Sequence, residues 1–113
     1  MQIVNLKLGD LKPYENNPRI NEGAVDSLAE IIAKLGFHNP ILVNKDHVII
    51  EGHTRLAACK KLGMEEIPCI VEENLTEEQE KALRIADNKV AEIAEWDEEK
   101  LKVEMAWLKE AGF

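Results

Sequence analysis

The sequence predicts an α+β fold: a small mixed sheet of about four strands, helices packed against it, and a helical C-terminal extension. Three observations point there. Short apolar runs of strand length stand near residues 3–8, 40–43, 47–50 and 67–71. Between and after them, apolar residues recur at helical spacing, with Asn, Thr or Asp before and Gly behind two of the runs. No repeat, linker or low-complexity tract divides the 113 residues, so 1–96 reads as one domain, and 97–113 as a helix of that domain or of an interface.

Taken in order, Ile3-Val4-Asn5-Leu6-Lys7-Leu8 alternates, with Val4, Leu6 and Leu8 on one side as in a half-buried strand. Pro13-Tyr14-Glu15-Asn16-Asn17-Pro18-Arg19 is loop by composition. Asn21 can cap a helix to about Leu35, with Val25, Leu28, Ile31, Ile32 and Leu35 as its stripe and Gly36 as its stop. Pro40–Val43 and His47–Ile50 flank Asn44-Lys45-Asp46, a hairpin signal. A helix then runs from His53 to Leu62 and stops at Gly63. Ile67-Pro68-Cys69-Ile70-Val71 is a further strand whose proline favours an edge or a strand start. Thr76 and Gln79 have capping-box spacing and open a helix through Ala82, Leu83, Ile85 and Ala86. At Asp87-Asn88-Lys89 the helical pattern is interrupted or ends, resuming through Val90, Ile93 and Ala94. Asp97 caps a last helix carrying Leu101, Met105 and Leu108, with Val103 and Trp107 off that stripe; two apolar faces on one helix suggest a partner domain or a homodimer.

Composition narrows the function classes. With 45% hydrophobic and 32% charged residues the chain suits a globular domain rather than a disordered one. No apolar run approaches the roughly 18 residues of a membrane span, and the N-terminus lacks a signal-peptide pattern, so a cytoplasmic setting is expected. Cys59 and Cys69 lack metal-ligand spacing and read as buried free thiols. The net charge of −8 is uneven: residues 1–56 carry six Lys/Arg against seven Asp/Glu, residues 57–113 eight against fifteen. That acidic second half disfavours direct DNA binding and leaves the first half as the place for an anion.

The candidate place is Ile49-Ile50-Glu51-Gly52-His53-Thr54-Arg55, where an apolar strand stops at glycine and restarts as a helix. A helix N-terminus exposes unpaired N–H groups with partial positive charge, and glycine removes a Cβ that would block an anion. Arg55 can add a bidentate contact, Thr54 a hydroxyl and His53 a ring donor. A plain strand-to-helix connection accounts for the same residues, and Glu51 opposes an anion unless it points away or helps hold a metal.

IIEGHTRLAACKKLG, preceded by LGFHNPILV and PYENNPR, resembles the ParB/sulfiredoxin superfamily over roughly residues 3–97, with three separated motifs in the expected order. The fold is often labelled a ParB-like nuclease domain. The resemblance implies that Gly52, His53, Thr54 and Arg55 grip the phosphates of a nucleotide: CTP in chromosome-partition members, ATP or ADP in sulfiredoxin and free serine kinases. It adds Arg19 as a second phosphate contact, Asn17, His38 and Pro40 to the nucleotide pocket, and Asp87 and Asn88 beside the phosphates and a magnesium ion, for which Glu51 is a further candidate on its own chemistry. The plain readings are turn chemistry for Asn16, Asn17, Pro18 and Arg19, a surface histidine for His38 and a helix end or cap for Asp87-Asn88. Glu15 would be the general base of a kinase-type transfer. His53 stands where sulfiredoxins carry their catalytic cysteine, which excludes sulfinic acid reduction. Partition proteins have an acidic then a basic residue where His53 and Thr54 stand, so the base is left open.

Two functions follow. One is a nucleotide-binding module with Mg2+ and a nucleoside di- or triphosphate, a switch or accessory in DNA partition, modification or phage and mobile-element biology, with a DNA methyltransferase or DNA-binding domain fused or separate. The other is a phosphate-transferring or phosphodiester-cleaving enzyme, either a ParB-like nuclease or a small-molecule kinase.

Overall fold

The computed structural model describes residues 2–15, 22–93 and 98–112. Strand β1 (Ile3–Lys7) leads through a 3-10 turn at Leu8–Asp10 toward helix α1 (Glu22–Leu35). Strands β2 (Ile41–Asn44) and β3 (Ile49–Glu51) precede helix α2 (His53–Lys61), strand β4 (Glu66–Glu72), and helices α3 (Glu77–Ile93) and α4 (Glu98–Glu110). The sheet is open and mixed, in the order β1-β4-β2-β3; β4 runs antiparallel to β1 and parallel to β2, and β2 runs antiparallel to β3. The α+β architecture read from the sequence is the one observed.

One core holds the layers together. Val25, Ala29 and Ile32 of α1 and Leu56, Ala58 and Cys59 of α2 cluster with Ile41, Val43, Ile49, Ile67 and Cys69 of the sheet. Leu6 and Leu8 pack on its margin, while Val4 and Ile3 are exposed because β1 lies at the sheet edge. In the predicted α1 stripe, Ile31 and Leu35 also fall outside the buried set, and Ala29 takes the inward position instead. Lys61 of α2 pairs with Asp26 of α1 across the helix contact.

The predicted caps and turns form as their chemistry requires. Gly36 and Gly63 follow α1 and α2 with φ of +88° and +69°. Asn44 Oδ1 accepts from the Asp46 and Val48 amides at 2.9 Å, which shapes the hairpin turn. Thr76 and Gln79 satisfy each other's amides reciprocally, at 2.9 and 3.2 Å.

Two local expectations change. The proline of β4 lies in an interior strand, but its ladder with β2 begins only at Cys69, so Pro68 pairs with β1 alone. The interruption expected at Asp87-Asn88-Lys89 is absent, and α3 runs unbroken from Glu77 to Ile93. The helix propensities of Asp and Asn fall only a few tenths of a kcal/mol below those of their neighbours, roughly. Packing of α3 against β3 outweighs that. Asn21 and Asp97, read as caps, lie outside the described residues. The α4 face is open: Met105 and Trp107 are 59% and 66% exposed, Val103 and Leu108 are exposed with them, and Leu101 is half-buried.

Between β3 and α2 the chain turns at Gly52, with φ +113° and ψ 25°. A Cβ there would lie 3.1 Å from Cγ1 and 3.3 Å from Cγ2 of Ile41, which is completely buried. Left-handed backbone and a closed space together require glycine. Gly52→Ala is therefore expected to cost about 2–4 kcal/mol from strain and overpacking, read by urea unfolding. A loss below 0.5 kcal/mol, roughly the level of a neutral surface change, would contradict this packing.

Both cysteines are free and buried. Burial, with Cys59 alongside, pushes the Cys69 thiol from 9.0 up to about 11. Between those values the unfolded chain loses the proton and the folded chain keeps it. Stability should therefore fall as pH rises from 9 toward 11, by roughly 2 kcal/mol, and Cys69→Ala should flatten the slope in pH-dependent denaturation.

Candidate functional site

Gly52 is the N-cap of α2, and neither a side-chain cap bond nor an acidic residue occupies the first turn. The Leu56 amide is bonded to the Gly52 carbonyl at 2.9 Å, so the helix ladder begins there. The amides of residues 53–55 precede that ladder and have no carbonyl four residues behind them to bond within the helix. The reason for the glycine differs from the sequence-based one. Its missing Cβ points at Ile41 and the core, so the glycine serves the turn and its packing rather than clearing room for an anion.

The side chains around the turn are already engaged. The Tyr14 amide donates to His53 Nε2 at 3.0 Å, so that nitrogen is an acceptor and only Nδ1 is left to donate. Burial, and after it the Arg84 cation, hold His53 below the ordinary imidazole range. His53 is thus a neutral anchor for the Tyr14 segment. Arg55 is half-buried, and its Nη1 donates to the Pro40 carbonyl at 3.3 Å. Thr54 is half-buried beside it.

Glu51 closes the strand side of the turn. Burial, then the charge of Asp87, push its carboxyl above the usual carboxylate range, and Arg55 draws it partly back. The fold therefore brings Glu51, Arg55 and Asp87 into one electrostatic neighbourhood from β3, α2 and α3. Among the described residues no group of three or more His, Cys, Asp or Glu could hold a metal ion alone. Two carboxylates fit a magnesium that takes its remaining ligands from phosphate oxygens and water.

The other predicted residues fall as follows. His38 and Arg55 line one crevice with Leu28, Ile31, Phe37 and Asn39, and Pro40 joins it through the Arg55 hydrogen bond. His38 Nε2, however, donates to the Leu35 carbonyl at 2.6 Å and closes the end of α1. Glu15 is exposed and lines a different cleft. Asn17 and Arg19 lie outside the described residues. The backbone of Asn88 belongs to α3, and its side chain lies outside what is described.

Sequence reasoning passed over Arg84. It is 8% exposed, donates from Nε to the Ile49 carbonyl at 3.0 Å, and places Nη2 3.6 Å from Glu80 Oε1. Its guanidinium carbon lies 3.8 Å from the centre of the Tyr14 ring. Glu80 Oε1 also accepts from Asn44 Nδ2 at 2.6 Å, which ties the hairpin to α3. The available signal is spacing: Glu80, Arg84 and Asp87 recur at i, i+4 and i+7, one helix face. Arg84 and Tyr14 also wall a cleft of about 710 Å³ with Lys12, Asn44, Thr76 and Glu80, which the Gly52 turn does not line.

Residues 1–89 match the ParB N-terminal domain family. A curated relative from Escherichia coli K12, the ParB-like nuclease domain-containing protein YnaK, is 39% identical over 80 residues, covering 70% of this chain and 92% of that protein. A probable chromosome-partitioning protein ParB of Rickettsia felis is 33% identical over 90 residues, and this chain spans only 30% of its length. Among solved structures, the C-terminally truncated partitioning protein ParB from Caulobacter crescentus, complexed with CTP-γ-S, superposes with a TM-score of 0.72 at 22% identity, over 86% of this chain and 57% of that one. A free serine kinase in complex with AMP superposes with a TM-score of 0.57 at 26% identity, over 66% of this chain and 32% of that one. The family match runs through both the Gly52 turn and the α3 face bearing Arg84 and Asp87, and the chain belongs to the ParB N-terminal domain family.

Proposed function

We propose that this chain is a nucleotide-binding module, taking a nucleoside di- or triphosphate of the CTP or ATP type with its phosphates at the Gly52–Arg55 turn. The observation that carries this reading is the start of α2, which has neither a side-chain cap nor an acidic residue in its first turn and has Arg55 beside it. Backbone amides at such a position favour an anion, and a guanidinium adds charge-assisted bonds. The nucleotide-bound ParB and serine kinase structures support a nucleotide in this fold. Arg19 and Asn17 belong to the proposed site through their motif, and His38 and Pro40 through the crevice shared with Arg55.

In this reading Thr54 donates its hydroxyl and His53 the Nδ1–H, while Arg55 keeps its guanidinium oriented by the Pro40 carbonyl. A bound magnesium would supply charge neutralisation between phosphate oxygens and the protein, with Glu51, Asp87 and Asn88 as its nearest candidates. The raised Glu51 carboxyl fits that role, because a nearby cation would relieve the repulsion from Asp87. The open face of α4 would then contact a second copy or an associated DNA-modifying or DNA-binding domain, with nucleotide state biasing that contact.

A phosphodiester-cleaving or phosphate-transferring enzyme is the weaker reading. Metal-assisted cleavage calls for several carboxylates around the scissile phosphate, and the described residues bring two together near the turn. Glu15, the candidate base for transfer, faces the cleft beside Tyr14 rather than the turn.

Calorimetry with CTP, ATP, GTP and UTP, each with and without magnesium, tests the proposal. One nucleotide should bind, and Arg55→Ala should weaken it by about tenfold or more, as expected for loss of a charge-assisted contact. At 100 times its dissociation constant the ligand should add about 2.7 kcal/mol of stability in thermal unfolding. An absence of binding by all four at millimolar concentration would overturn the reading.

A further inference from the structure

Three separate parts of the chain meet at Arg84. Its Nε reaches the Ile49 carbonyl of β3, Nη2 faces Glu80 on its own helix, and the plane of the guanidinium covers the Tyr14 ring. An arginine can do all three at once, because its donors lie at the edges of a plane whose face is free to stack. The Tyr14 segment is meanwhile fixed from two other directions. Two residues earlier, the Lys12 amide donates to the His47 carbonyl and the Lys12 carbonyl accepts from Ile49, each at 2.9 Å, so the segment runs along the outer edge of β3. At Tyr14 itself the backbone amide is bonded to His53, the first residue of α2.

We propose that Arg84 is a positioning residue for the anion-binding turn: stacked on Tyr14, it latches the segment entering Glu15 against His53, so that α3, β3 and the start of α2 hold one geometry. The ring contact restrains the Tyr14 backbone from one side while His53 holds it from the other. Without the guanidinium, nothing among the described residues but the hydrogen bond to His53 would hold residue 14 beyond the Lys12 bridge to the sheet edge. The consequence for binding rests on the nucleotide reading above. The latch is a contact within the protein and is measurable without any ligand.

Tyr14 is the one tyrosine of this 113-residue chain, so 3-fluorotyrosine labelling of the chain yields one 19F resonance. In Arg84→Met that resonance should move to the position of free fluorotyrosine. Exchange of the Tyr14 amide should accelerate by about tenfold relative to the core amides of Ile67 and Cys69. Arg84→Lys, which keeps charge without the planar fork, should restore neither. An unchanged resonance and unchanged relative exchange in Arg84→Met, or full recovery with lysine, would overturn the latch. Should Arg84→Met fail to fold, Tyr14→Leu decides, since it leaves the Ile49 and Glu80 contacts of Arg84 in place; unaltered residue-14 exchange relative to the core overturns the proposal. Each variant should also weaken the nucleotide found by calorimetry about tenfold, and the double variant no more than either single one. A wild-type chain that binds no nucleotide overturns the functional reading, while the tyrosine resonance still decides the latch.

Discussion

Gly52 holds a left-handed backbone with the space above its Cα filled by Ile41, and the geometry of the site follows from that junction. Ile41 is buried in the middle of the sheet, between β3 and β4, so the turn is pressed against the interior rather than raised above it. This close approach lets the strand end and the helix begin within one residue. The first amides of α2 therefore stand directly beside the end of β3, where Glu51 is placed. A longer connection would move the helix start away from the sheet, and the carboxylates and arginine gathered there would separate.

The electrostatics at this junction set opposing charges against each other in a partly dry environment. Arg55 acts on Glu51 and Arg84 on His53, while the charge of Asp87 on α3 also reaches Glu51 at the end of β3. Burial moves Glu51 and His53 toward their neutral forms, and the like charge beside each pushes the same way. Arg55 draws the Glu51 carboxyl partly back, and the Arg84 guanidinium is itself paired with Glu80. The excess acidic charge lies in the second half of the chain, where eight Lys/Arg stand against fifteen Asp/Glu.

The fold and the function stand on different footings. A TM-score of 0.72 at 22% identity to a partitioning protein speaks for the shared architecture. The 39% identity to a relative matched over 92% of its own length ties the chain to a family. Within one architecture, the neighbours include a chromosome-partitioning protein and a serine kinase, so the architecture does not decide the chemistry, which depends on the side chains it carries. In this chain those include a histidine committed to a backbone amide and a buried arginine behind it, and neither could be assigned from the architecture alone.

The sequence by itself determined the element order, the capping box at Thr76–Gln79, the hairpin around Asn44 and the glycine turn, because these depend on residues only a few positions apart. It also marked Arg55, Glu51 and Asp87 as candidates, since each lies in a recognisable motif. Only the tertiary structure decided which face each motif presents. Gly52 serves Ile41, His38 closes α1, and His53 holds Tyr14 across 39 residues. Arg84 was legible as a helical residue, but its partners Ile49 and Tyr14 lie 35 and 70 positions away, a separation across which sequence spacing carries no geometry. The unbroken α3 has the same cause, because its packing on β3 outweighs the small local preference of Asp87 and Asn88 for a helix end.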